Sequence, residues 1–182
     1  MNVSTIGRQP DLLTAPRSTS HSDASLTMLF DLIEQRLDLM EEVSKAKWNT
    51  GAAIEDPERE QKLLEDVEAK AKQSDLPPQW VHHFFRLQIE AAKLVQYQLF
   101  SQWRESNQKS FSNTMDLKSQ IRPQLDQITV AILAALKANW PTVKAKPIRS
   151  LEPAASHKPK RFPRAENLAL TPLFDGSAQS RP

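Results

Sequence analysis

No cysteine occurs in the 182-residue chain, so disulfides, thiolate metal sites and thiol nucleophiles are excluded and the redox compartment leaves no trace. Only 3 glycines stand against 13 prolines. With no alternating run of Val, Ile or Thr either, strands joined by glycine-dependent hairpins have no support. No stretch reaches the roughly 18 apolar residues that a membrane-crossing helix needs. The first 24 residues, rich in Ser, Thr, Pro and Arg, lack the apolar core of a secretory signal, so the chain as written carries no export signal. What is present is 39% hydrophobic residues, enough at this length for one real core. The expectation is an all-α helical bundle over residues 25–140, after a flexible segment over residues 1–24.

Charge is unevenly spread. Residues 141–182 hold seven of the prolines and eight Lys or Arg against three Asp or Glu, a local +5; the whole chain is +2, which leaves −3 for residues 1–140. A basic, proline-rich stretch with few aromatics buries little surface, so residues 141–182 are read as a disordered tail. A solvated extension is the simpler reading of that basicity, and neither nucleic acid nor a membrane is expected as a partner.

Between the ends, apolar residues recur at helical spacing. Leu26, Leu29, Phe30, Ile33, Leu37, Met40 and Val43 make one stripe of a helix over about residues 25–49. At about 100° per residue, Arg36 falls between Val43 and Leu29 around the axis, and Lys47 nearly eclipses Arg36. Two cations therefore face the way the core faces. A charge facing a core is costly unless an opposite charge answers it. Asp56 followed by Pro57 reads as a helix start, with Asp56 as N-cap. Asp56, Arg59 and Glu60, at i, i+3 and i+4, share one face near the loop that returns from Lys47.

A third helix, over about residues 78–105, carries Val81, Phe84, Phe85, Val95, Leu99 and Trp103, and its stripe is interrupted by Gln88, Ala92 and Gln96. Buried amides need partners, so each glutamine either crosslinks helices or faces a ligand. The adjacent His82 and His83 point apart and make a poor metal pair. Leu117, Ile121, Leu125, Ile128, Ile132 and Ala135 form a last stripe, with a restart or kink expected at Pro123. Arg122 sits just before that irregularity, at the stripe's edge. The arrangement as a whole suggests a pocket for a small polyanion within a bundle.

These intervals resemble the all-helical chorismate mutase family. Its pattern is an arginine, a lysine eleven residues on, an aspartate nine further, an arginine three later and an acid next, as in Arg36, Lys47, Asp56, Arg59 and Glu60. It then places a small residue and, four positions on, a glutamine or glutamate, as in Ala92 and Gln96. The stretches AKWNTGAAIEDPERE, LQIEAAKLVQYQLFSQW and IRPQLD resemble the subclass (gamma) that is usually exported and has an extra helical portion. In that subclass the arginine before the proline, Arg122 here, completes the pocket within one chain.

The resemblance implies rearrangement of chorismate to prephenate without cofactor or metal, by a homodimer. It implies Arg36 and Arg122 as clamps on the substrate carboxylates and Lys47 and Gln96 as donors to the breaking ether oxygen. Glu60 with Asp56 would take the substrate hydroxyl, Arg59 would orient that acid, and Lys93 would be supporting. The catalytic set is Lys47, Gln96, Arg36 and Glu60; Asp56, Arg59, Ala92 and Arg122 complete the binding set. Two positions depart from some relatives: Ala92 stands where they have a hydroxyl residue, and the amide Gln96 where they have a glutamate. The resemblance implies a periplasmic or secreted location, whereas the chain as written, if full-length, would stay in the cytoplasm. Competing readings are an isochorismate-pyruvate lyase on the same bundle and a non-enzymatic helical interaction module.

Overall fold

The computed structural model describes residues 19–145, 161–176 and 178, with side chains from residue 24 on. Five α-helices and one π-helical turn account for its regular structure, and no strand occurs among the described residues. Helix α1 spans Thr19–Thr50, α2 Pro57–Gln73, α3 Pro78–Glu105, α4 Arg122–Ala145 and α5 Pro163–Phe174. The π-helical turn, Leu117–Ile121, runs directly into α4.

The three long stripes meet as their periodicity requires. Leu29, Ile33, Val81, Phe84, Phe85, Ile132 and Leu136 are almost wholly buried, and the core is continuous from α1 through α3 and α4. Helix α1 packs on α3 and α4, and α2 on α3. Trp80 stands edge-on to Trp140 with ring centroids 5.0 Å apart, which ties the start of α3 to the end of α4.

Glycine scarcity does not prevent clean helix ends. In α1 the N–H groups of Gly51 and Ala52 return to the carbonyls of Trp48 and Lys47, with Gly51 left-handed at φ +66°. The same closure ends α2 at Asp75 and α3 at Asn107, where φ is 57° and 54°. Asp and Asn are the residues that most readily replace glycine in that conformation. Closing α1 in this way leaves Lys47 in its last turn and folds the chain back over it.

Pro123 has no N–H for the carbonyl four residues back, and its ring crowds that carbonyl. The backbone answers with the wider π turn, in which the N–H of Arg122 bonds the carbonyl of Leu117. The irregularity expected at Pro123 is therefore this turn, and it sets Arg122 at the mouth of α4.

Three expected boundaries are corrected. Residues 19–24, expected to be flexible, belong to α1, because no proline or glycine lies between Pro16 and Gly51 to stop the helix. Helix α4 runs past residue 140 to Ala145, through Pro141. The expected disordered tail holds α5. Averaged over residues 141–182 the composition looks unfoldable, yet its apolar residues concentrate at Phe162, Ala165, Ala169 and Leu173, one stripe behind Pro163 at the first helical turn. That stripe is buried against α3 and α1. Gln88 crosslinks here, donating to the carbonyl of Ala169 at 2.7 Å, Phe30 stacks with Phe174 at 6.3 Å, and Arg161 pairs with Glu41. The rest of the expected flexible ends, residues 1–18, 146–160, 177 and 179–182, lies outside the described residues.

Because Leu173 is 1% exposed, Leu173→Ala should destabilise the chain by about 2–5 kcal/mol. Urea unfolding would read this as a lower midpoint. An unchanged midpoint would mean that α5 is not docked.

Candidate active site

All eight residues expected in the site line one cavity of about 110 Å³, enclosed by α1, the start of α2, the middle of α3 and the π turn with α4. Lys93 joins them. The walls between are apolar, from Met40, Val43, Leu63, Ile89 and Leu125 among others.

Helix α1 supplies two buried cations. Arg36 is 5% exposed and its Nε has no hydrogen-bond partner. Burial, helped by the nearby Arg59 guanidinium and opposed by Asp126, holds its pKa down at about 10. Lys47 is 8% exposed, and its Nζ donates to the carbonyl of Ile54 at 2.5 Å, across the loop that the Gly51 closure folds back. Burial pushes the Lys47 ammonium below the ordinary lysine value, against the pull of Asp56 and Glu60. No described carboxylate forms an ion pair with either cation.

The start of α2 is held by reciprocal caps. Asp56 Oδ1 accepts from the N–H of Arg59 at 3.3 Å, and Glu60 Oε1 accepts from the N–H of Asp56 at 3.3 Å. Asp56 Oδ2 also takes Nη2 of Arg122 at 3.0 Å, which draws α4's first residue to the rim. Glu60 is paired with Lys93 at 3.3 Å, and Lys93 in turn with Glu90 at 2.8 Å.

Arg59 does not orient Glu60 as expected. Its guanidinium turns to Asp126 of α4, with Nη2 to Oδ1 at 2.8 Å. The cation on Glu60 is Lys93, one turn before Gln96 on α3. Sequence reasoning also missed Asp126 itself, although it lies one turn beyond Arg122 in the stretch IRPQLD and therefore on the same helix face.

On α3, Gln96 is 4% exposed. One amide N–H bonds back to the carbonyl of Ala92 at 3.1 Å, and Nε2 otherwise meets only Met40 Sδ at 4.0 Å, a weak acceptor. Its Oε1 is buried without a partner. Gln88 Oε1 is orphaned in the same way, but only Gln96 lines the cavity, while Gln88 crosslinks helices. Ala92, buried between the two, leaves open space a larger side chain would fill. His82 lies elsewhere, paired with Glu68 of α2. Among the described residues no group of three or more His, Asp or Glu side chains is placed to hold a metal ion.

A buried guanidinium and ammonium without a carboxylate, an amide N–H held only by a weak thioether acceptor and an acid at the rim suit a small anion that also carries a hydroxyl. Nothing in the set is a nucleophile activated by a base. The arrangement binds and polarises.

The sequence model of the family described as chorismate mutase type II matches residues 27–97. The secreted chorismate mutase of Mycolicibacterium smegmatis is 31% identical over 128 residues, which is 70% of this chain and 70% of that protein. The secreted chorismate mutase of Mycobacterium tuberculosis is 25% identical over 133 residues, 73% of this chain and 66% of its own. Among solved structures, the chorismate mutase from Burkholderia thailandensis superposes with a TM-score of 0.75 at 34% identity, covering 82% of this chain and 99% of that one. On its sequence, its fold and these relatives, the chain belongs to the chorismate mutase family, in the all-helical type II class.

Proposed function

We propose that this chain converts chorismate to prephenate in the cavity between α1, α2, α3 and α4, by electrostatic stabilisation and conformational restraint. The observation that carries the reading is the pair of buried cations, Arg36 and Lys47, left without a carboxylate in a cavity whose other cations are each paired with an acid. A dianionic substrate supplies what they lack.

The rearrangement breaks a carbon–oxygen bond and forms a carbon–carbon bond within one molecule, so no protein group has to form a bond. Arg36 and Arg122 hold the two carboxylates and keep the substrate compact, which converts a rare conformer into the bound one. As the ether bond lengthens, negative charge grows on its oxygen. Lys47, fixed by the Ile54 carbonyl, and the Gln96 N–H that meets only the weak acceptor Met40 Sδ are placed beforehand to meet that charge. Glu60, itself set by Lys93 and the Asp56 N–H, accepts the substrate hydroxyl. Arg59 adds to the positive field from the rim. Ala92 offers no hydroxyl, so any contact there comes from backbone or water.

Loss of chorismate absorbance with the full chain, followed by product identification, tests this. Prephenate is expected; salicylate and pyruvate from isochorismate would move the assignment to the lyase. A second expectation concerns pH. Arg36 is cationic below about 10 and the Lys47 ammonium lies below the ordinary lysine value, so kcat/KM should fall on the alkaline side as these two cations lose their protons. The limb of kcat should lie at higher pH, because a bound dianion favours the charged form. The fall is not unfolding driven by Arg36. A cation with a lowered folded-state value penalises folding at lower pH, and that penalty lifts as pH rises through about 10. A kcat/KM that stays level through pH 10.5 would mean that Arg36 keeps its charge there and that burial lowers its pKa less than this.

The homodimer and the export also stand as proposals. Leu94 and Tyr97, 44% and 48% exposed and one turn apart on α3, give an apolar surface for a second copy; light scattering at a monomer mass would exclude it. The two mycobacterial relatives named as secreted support a site of action outside the cytoplasm.

A further inference from the structure

Arg122 and Asp126 are one turn apart on α4, and Asp56 and Arg59 share a face at the start of α2. Between them run two rungs of opposite polarity: Arg122 to Asp56 at 3.0 Å and Arg59 to Asp126 at 2.8 Å. The rungs are joined by the Asp56 cap on the N–H of Arg59. Helices α2 and α4 otherwise touch sparsely, so this square sets how the rim of the cavity closes. Arg59 stands at a divide. It lines the reaction cavity, and it also lines a second pocket of about 210 Å³ between α2 and α4, where Asp126 and Asp66 lie with Lys62 and Lys70. Asp126 does not line the reaction cavity.

We propose that Asp126 is a positioning residue of the active site, which acts through Arg59 by holding its guanidinium at the rim between α2 and α4. The proposal rests on the reaction assigned above. Without the Asp126 carboxylate, Arg59 is still repelled by Arg36 and has lost its anchor, since Asp66 beyond it is already paired with Lys62 at 3.5 Å, and the positive wall that meets a substrate carboxylate loosens. Asp126 also offsets, at Arg36, the charge of Arg59. The charged groups bearing on Arg36 are these two, from α2 and α4. Lys47 on its own helix, Lys93 from α3, Asp56 and Glu60 from the start of α2 and Arg122 at the start of α4 line the same cavity.

The pair is partly exposed, at 34% and 61% for the two side chains. Such pairs contribute little to folding, so the effect belongs to binding and to titration. In the full chain, Asp126→Asn should raise KM for chorismate about fivefold, with kcat within about twofold of the parent and an unchanged melting temperature. The alkaline limb of kcat/KM should move to lower pH, because Arg36 loses its one favourable counter-charge. Asp126→Glu should restore both KM and the limb. A parental KM and a parental limb in Asp126→Asn would overturn the proposal. So would a raised KM with an unmoved limb that Asp126→Glu does not restore, which is the pattern of a merely structural contact. Prephenate formation by the parent is read in the same assays, so failure of the reaction assignment is seen separately.

Discussion

Lys47→Ala is expected to lower kcat and kcat/KM for chorismate together, by about 10³-fold, while the chain stays folded. Lys47 is 8% exposed, anchored by one carbonyl and unpaired with any described carboxylate. Its charge is therefore little used in the empty site and becomes fully used when the ether oxygen turns negative. An interaction of that kind appears in kcat, because it is stronger in the transition state than in the bound ground state. Truncation leaves space beside Ile54 and Val43 but also removes a buried cation that burial already disfavours. The two effects on stability oppose each other, so the melting temperature should change little. A variant with parental kcat and a raised KM would mean that Lys47 binds a carboxylate instead of the breaking bond.

How much of this was legible depended on whether the signal was local or crossed between helices. Arg36 and Lys47 were readable because eleven residues are close to three helical turns, so both side chains must leave α1 on the core side. Asp56 was readable as a cap from the proline behind it. The glutamines were readable as interruptions of an apolar stripe, though only packing separates them: Gln88 meets α5, and Gln96 meets the cavity. The partner of each charge was not readable. Arg59 chose Asp126 over Glu60, and Glu60 chose Lys93, because the choice is set by how α2 lies on α3 and α4. Helix α5 was lost to averaging, since seven prolines and a local +5 over residues 141–182 masked a stripe of a dozen residues.

If the amide at position 96 donates to the breaking bond as proposed, Gln96→Glu should convert a catalyst active at pH 7–8 into an acid-dependent one. An amide N–H donates at any pH, so the parent should keep its activity at pH 7–8. A carboxyl in the same place, 4% exposed, donates only when protonated. Once ionised, it presents a negative charge to an oxygen that is itself becoming negative. Two environments then compete for its titration. Burial among Met40, Val43 and Ile89 raises it above the usual glutamate value of about 4.3, and Lys47 and Arg36, which share the cavity, lower it. Wherever the balance falls, kcat/KM of the variant should decline with a slope of one proton as pH rises through that value. At pH 8 it should lie about 10²–10³-fold below the parent, the size of effect expected from losing one placed donor. Recovery on acidification separates this from misfolding, which lower pH would not repair. A variant whose profile parallels the parent's would show that the group at 96 does not donate to the breaking bond, and Lys47 would then be the only donor at that oxygen.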